Sequence, residues 1–388
     1  LIYIGCHGYV NHLKNPNEFL IGYADYIAWS DPLEKILDGK ILGKDFFVSY
    51  GPLFFFFQVP FYYFFGANHW ALLNNIYIVF PLLSIALAHF YIRTFIKTPS
   101  LRILFVIVCL FQGSLGLYPS IRHICAEITL GLFFFCLTHP GKRFWFFITG
   151  IAQGISILAG TEYGIAIFII ICTTFILFCI TNEKIHAKKL AKFFLSGLLV
   201  SLMPFISYMI YHGTLITFLE DYYFMVTSFE NHSPPGSDIF FPPLPQISLN
   251  NFSESFNHFL VSQALRYYLP IIFYIIAGMI FILLFYQRKS PDSFKFFLLS
   301  CFGLLIFYRG LGTPAYNYVA YGLIPAITLG FIFLEKIWLC GVIHYEGYNL
   351  RTGYSLKSLL NSSLHTTILL FIFAWFFLTI ENKSLFKF

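Results

Sequence analysis

Charge is scarce in this sequence. Asp, Glu, Lys and Arg together make up 11% of 388 residues, against 58% hydrophobic residues and a mean hydropathy of +0.74. A water-soluble domain of that size would need far more charge on its surface, so the composition excludes a soluble globular protein and points to an integral membrane protein. Acid is scarcer than base, 18 against 24. The resulting net charge of +6 is no nucleic-acid signature, because the basic residues fall at the ends of apolar runs and form no stripe. Paired cysteines are missing too: the eight cysteines include no C-x-x-C and lie mostly inside apolar runs, as small buried hydrophobes do, which argues against a disulfide framework or a metal site. No G-x-x-x-x-G-K-[ST], H-E-x-x-H or G-x-S-x-G occurs. Nor does D-x-D, the metal-nucleotide clamp of soluble sugar transferases.

What is abundant is apolar helix-length sequence, with Phe alone contributing 51 residues. Residues 1–10 read as the tail of a spanning helix. Further spans are expected at about 71–95, 101–118, 124–138, 144–159, 163–181, 193–211, 267–286, 296–308, 318–334 and 364–380, giving an all-α polytopic membrane bundle of about eleven transmembrane helices in a single domain, 1–388. The run 51–66 is also apolar, but it is short for a span, carries Gln58 and Pro60 near its middle, and is rich in the aromatics that prefer the membrane interface. It therefore reads as a juxtamembrane or re-entrant element. With that choice most basic residues gather on one side of the membrane, with only Glu183, Asp292, Glu335 and Glu346 as acids. That side is the cytoplasm. Two large segments then lie outside: a first loop, 11–70, and a Pro-rich second loop, 212–266, suited to folding over a cavity.

The first loop gathers acid. Asp25, Asp31, Glu34, Asp38 and Asp45 fall close together in an otherwise apolar chain, and a polytopic protein that concentrates carboxylates in one loop usually uses them. Residues 25–37 fit a short amphipathic helix with Trp29, Leu33 and Ile36 on its apolar side. Asp31-Pro32 would start a helical stretch and Asp38-Gly39 end one, so capping is the plainer role for both acids. Other ionisable groups lie at outer helix ends: Arg122, His123, Glu127, Glu162 in Gly160-Thr-Glu-Tyr-Gly164, Asp221, Arg266 and Arg309. Snorkelling to headgroups is the plain alternative for Arg122, His123, Arg266 and Arg309. A lipid-facing Glu has no partner, so Glu127 and Glu162 are read as facing a cavity.

The order of an Asp, a short helix ending in Gly39-Lys40, then Asp45-Phe-Phe-Val-Ser-Tyr50-Gly-Pro-Leu53, an aromatic run and Phe64-Phe-Gly66 resembles the first external loop of the GT-C class of membrane glycosyltransferases. That class includes protein O-mannosyltransferases and the aminoarabinose transferases of lipid A. The resemblance implies that Asp25 is the catalytic base, that Tyr50, Gly51 and Pro52 belong to the second loop motif, and that transfer inverts the anomeric carbon. The class often has an Asp-Glu pair where this chain has Asp25-Tyr26. The choice of base therefore stays open among Asp25, Asp31 and Glu18, with Asp45, Glu162 and Glu127 as further acidic candidates.

Nucleotide sugars are confined to the cytoplasm, so transfer on the outer face requires a donor delivered by the membrane, a polyprenyl-phosphate sugar. Its phosphate leaves as a stable anion and needs no general acid. The reaction needs a base for the acceptor hydroxyl and a cation for the phosphate, for which Arg122, Arg309, Arg266 and His123 are the candidates. The acceptor is a lipid, a glycan or a protein, and a divalent cation as cofactor stays open. Besides donor and acceptor, membrane lipids are the expected partners and nucleic acid is not. The expected location is a cell membrane, of the bacterial inner-membrane kind, with the site on the extracytoplasmic face. A lipid or polysaccharide transporter, or an O-antigen-polymerase-like protein, is the alternative; it would more commonly place charge near the bilayer midplane.

Overall fold

The computed structural model describes residues 31–48, 51–60, 63, 91–105, 121–180, 184–227, 263–288, 293–311 and 324–336. Glu18, Asp25 and Tyr50 lie outside them, as do the expected spans at 1–10 and 364–380 and most of those at 71–95 and 101–118. Among the described residues the architecture is all-helical, with one isolated bridge between Leu42 and Phe46. The elements are α1 (31–37), α2 (Pro52–Phe56), α3 (Ile121–Thr138), α4 (Arg143–Ala159), α5 (Thr161–Ile180), α6 (Lys184–Tyr211), α7 (Leu215–Thr227), α8 (Gln263–Arg288) and α9 (Phe294–Leu311). Residues 59–60, 63, 91–95, 99–105 and 324–336 are helical as well. The chain divides into two compact units, one of Leu1–Tyr91, Tyr118–Asp238 and Phe285–Leu298, the other of Ile92–Leu117, Ile239–Leu284 and Leu299–Phe388.

In the first unit α3 to α6 run up and down. α6 contains Ala187–Tyr211, the one described helix long and apolar enough to cross a membrane; its 25 residues reach roughly 37 Å at ~1.5 Å per residue. Arg143–Ala159 and Thr161–Leu177 are shorter apolar helices. The tightest packing joins α4 to α6. Gly150 lies against the backbone of Phe194 and Leu198, Gly197 against the backbone of Phe147, and Gly154 against Ser201. These residues form a Gly-x-x-x-Gly on α4 facing a Gly-x-x-x-Ser on α6, so backbones meet where a Cβ would collide. The opposite stripe of α6, including Leu195, Leu199, Val200 and Met203, is exposed. A helix apolar on both its packed and its open face is what lipid contact requires.

The first loop folds back onto one end of this bundle. Leu33, Leu42, Phe46, Val48, Phe54, Phe55 and Met209 form a buried cluster, flanked by Cys125 of α3, Phe205 and Tyr208 of α6, and Leu215 and Phe218 of α7. α1 ends in a Schellman turn: Gly39 takes φ +73°, the Lys40 N–H donates to Lys35 O at 2.9 Å and the Gly39 N–H to Ile36 O at 3.1 Å. α2 is only five residues long, opened by Pro52 in its first turn, and cannot cross a bilayer.

Within the segment 212–266, Leu215–Thr227 forms the helix α7. Gly213 adopts φ +67°, turning the chain after α6, and the Phe218 N–H bonds Thr214 O at 2.9 Å as a helix begins. Phe218 packs on Phe205, with centroids 5.5 Å apart, and on Phe47 at 6.0 Å. Tertiary packing therefore makes a helix of sequence whose turn residues resemble a loop.

In the second unit Phe105 packs edge-on to Phe331 and Phe273 against Phe333. The buried Glu335 accepts from the backbone N–H groups of Lys97 at 2.8 Å and Thr98 at 2.6 Å, capping the helical segment that starts at 99. This contact joins two connections that the charge pattern assigns to one side of the membrane.

Candidate functional site

The site is built where α3 and α5 begin. Two consecutive residues of one helix meet two of the other. Arg122 Nη1 donates to Glu162 Oε1 at 3.1 Å, and the His123 ring lies 4.3 Å from that of Tyr163. Arg122, His123 and Tyr163 are buried, and Glu162 keeps about a quarter of its side chain exposed. A cation in the first turn of α3 opposes the helix dipole, whereas Glu162 in the first turn of α5 is favoured there. Glu162 therefore offsets the unfavourable placement of Arg122. Gly160 makes the approach sterically feasible: a Cβ there would stand 2.6 Å from Arg122 Cβ.

The first loop closes over the pair. The Arg122 guanidinium carbon lies 5.7 Å from the centroid of the Phe54 ring, and Phe54 meets Phe55 edge to face at 5.1 Å. Gly51, just before α2, sits directly on the backbone of Leu158 and Ala159 at the end of α4, with no room for a Cβ. The aromatic run is thus anchored at the same end of the bundle as Arg122 and Glu162. Below it, Gln153 is fully buried and its Nε2 donates to Gly164 O at 2.7 Å, tying α4 to α5.

The structure is similar in fold to a solved archaeal oligosaccharyltransferase. That structure is AglB from Archaeoglobus fulgidus in complex with an inhibitory peptide and a dolichol-phosphate; the likeness has a TM-score of 0.54 at 12% identity and covers 87% of this chain. The chain spans about half the length of that protein, 48%. No family model matches the sequence, and neither does any curated protein.

The remaining sequence candidates take separate positions. Asp45 closes a tight turn, its Oδ2 accepting from the Ile41 N–H at 2.7 Å, beside Gly43 at φ +80°. Asp31 pairs with Lys35 across one helical turn at 2.8 Å, both about half-exposed. The described helix includes Asp31, whose side chain reaches Lys35 at i+4. Glu127 lies further along α3, half-buried, with no bonded partner among the described residues. Arg266 lies on α8 and Arg309 on α9, in the second unit. Among the described residues no three His, Cys, Asp or Glu side chains converge as a metal site would require. Sequence reasoning missed Phe54, Tyr163 and Gln153. Phe54 adjoins the motif Tyr50-Gly-Pro-Leu53 and Tyr163 lies within Gly160-Thr-Glu-Tyr-Gly164, which were the available signal; Gln153, a lone amide in an apolar helix, gave none.

Proposed function

We propose that the chain is a membrane glycosyltransferase that moves a sugar from a polyprenyl-phosphate donor to an acceptor hydroxyl on the extracytoplasmic face. The observation that carries this reading is the buried Arg122, held by Glu162 and roofed by Phe54 of the first loop. A guanidinium is the side chain best suited to a phosphate, since its planar fork matches the anion's oxygens. The fold likeness to an oligosaccharyltransferase solved with a dolichol-phosphate supports it from outside the chain.

In this reading Asp25 is the general base. Its carboxylate takes the acceptor O–H proton while that oxygen attacks the anomeric carbon. The bond from that carbon to the phosphate oxygen breaks, its electron pair leaving on the polyprenyl phosphate, and attack from the opposite face inverts the centre. Arg122 holds the departing phosphate, with Arg266, Arg309 and His123 as further candidates, and Glu162 orients the guanidinium. Asp45 and Asp31 serve the loop's own structure.

The test is transfer of labelled sugar from polyprenyl phosphate by purified protein in detergent, where transport cannot be scored. Asp25→Asn keeps size and hydrogen-bonding capacity but accepts no proton, so turnover should fall by roughly 10²- to 10⁴-fold with donor binding retained. Asp31→Asn should stay close to wild type, since an exposed pair with Lys35 contributes about 1 kcal/mol or less. If neither change matters, the transporter reading moves ahead.

A further inference from the structure

At the end of the first unit away from the first loop, a second kind of site is assembled. α4 and α6 run parallel, and their seam fixes the register: Gly150 faces Phe194 and Leu198, and Gly197 faces Phe147 and Ile151. Extrapolated down two helices of equal rise, Lys142 and Arg143 at the start of α4 fall level with Lys188, Lys189 and Lys192 of α6. All five are exposed. Among the described residues of 136–146 and 187–195 none is acidic, and neither described ion pair involves these cations. Lys142 and Arg143 also stand where the dipole of α4 disfavours positive charge. Five cations so placed repel one another, and an external anion would relieve that repulsion.

Immediately beyond the cations the surface turns apolar. Phe144 is 67% exposed and Trp145 37%, and the Leu195 and Leu199 stripe of α6 continues from Lys192. A soluble anion would have no use for that sequence of surfaces. A phospholipid would, since its phosphate meets the cations, its glycerol level the aromatics and its acyl chains the leucine stripe.

We propose that the Lys142, Arg143, Lys188, Lys189 and Lys192 end of α4 and α6 is a binding site for an anionic phospholipid. The inference rests on the membrane placement in the proposed function and on none of its chemistry.

The experiment is native mass spectrometry and thermal unfolding of the full chain in detergent, titrated with phosphatidylglycerol or phosphatidylcholine. Phosphatidylglycerol should be retained and should raise Tm, less so at high salt. Each cation near an anionic lipid contributes about fivefold in affinity, so K188Q/K189Q/K192Q should weaken retention by at least roughly tenfold. K142Q/R143Q should weaken it as well, while K40Q/K44Q on the first loop should not. Equal retention of the two lipids, or unchanged retention in both site variants, overturns the proposal. Equal stabilisation by inorganic phosphate makes it a small-anion site and overturns the lipid assignment. Alkaline extraction separates the levels: loss of wild type from membranes sinks the membrane reading itself, whereas retention without lipid preference sinks the lipid site alone.

Discussion

Arg122 illustrates how much of this protein turns on single side chains. A cation that only snorkels keeps its head in water, yet Arg122 is buried, ion-paired and stacked under an aromatic ring. Arg122→Lys should keep the charge and the fold but lose the planar fork, raising the donor concentration needed for half-saturation by about tenfold or more. Glu162→Gln should act on the same quantity through Arg122, because the guanidinium loses the carboxylate that orients it. Donor saturation curves for the two variants and the double variant check this. Effects that do not add are expected, since both act on one contact. Unchanged saturation in both single variants would leave Arg122 a structural residue. The pairing itself could not be read from sequence: the two residues lie 40 positions apart, and only the packing of α3 on α5 brings them together.

Among the elements, those with long apolar runs were legible and those fixed by contact were not. The expected spans at 124–138 and 144–159 correspond to Ile121–Thr138 and Arg143–Ala159, because a run of apolar residues bounded by His139-Pro-Gly-Lys142 leaves little choice of boundary. The end of α1 was equally legible, as Asp38-Gly39 supplies the left-handed residue that a Schellman turn needs. α7 was not, for its apolar residues gain meaning only against Phe47 and Phe205. Nor did the charge of Asp45 reveal that its carboxylate closes a turn on Ile41. The seating of α2 yields a prediction at this scale. Gly51→Ala places a methyl group into the backbone of Leu158 and Ala159, so the loop must shift at a cost of about 1–3 kcal/mol. A lowered Tm together with reduced transfer is the expected result. Ala at Gly39 serves as the contrast, where nothing lies within 4 Å and only the positive φ resists the change.

At the scale of the whole molecule, the two ends of the first unit differ in charge. The first loop packs on the end of the bundle where α3 begins, α4 ends and α5 begins, and α6 presents Phe205, Tyr208 and Met209 to it there. The connections at the other end carry Lys142, Arg143, Lys188, Lys189 and Lys192. Basic connections stay in the cytoplasm, so the two ends should face opposite compartments, with Arg122, Glu162 and the first loop outside. A cysteine introduced at Ser49, two positions before Gly51, should react with a membrane-impermeant maleimide added to intact cells. One introduced at Asn182, between α5 and α6, should react only after the membrane is opened. The native cysteines are replaced first, so that the label reports the introduced site. The reverse pattern, with Asn182 labelled in intact cells and Ser49 only after the membrane is opened, would place the basic end outside and the first loop in the cytoplasm. That result would remove the physical reason for a lipid-phosphate donor, because a site facing the cytoplasm would have nucleotide sugars at hand.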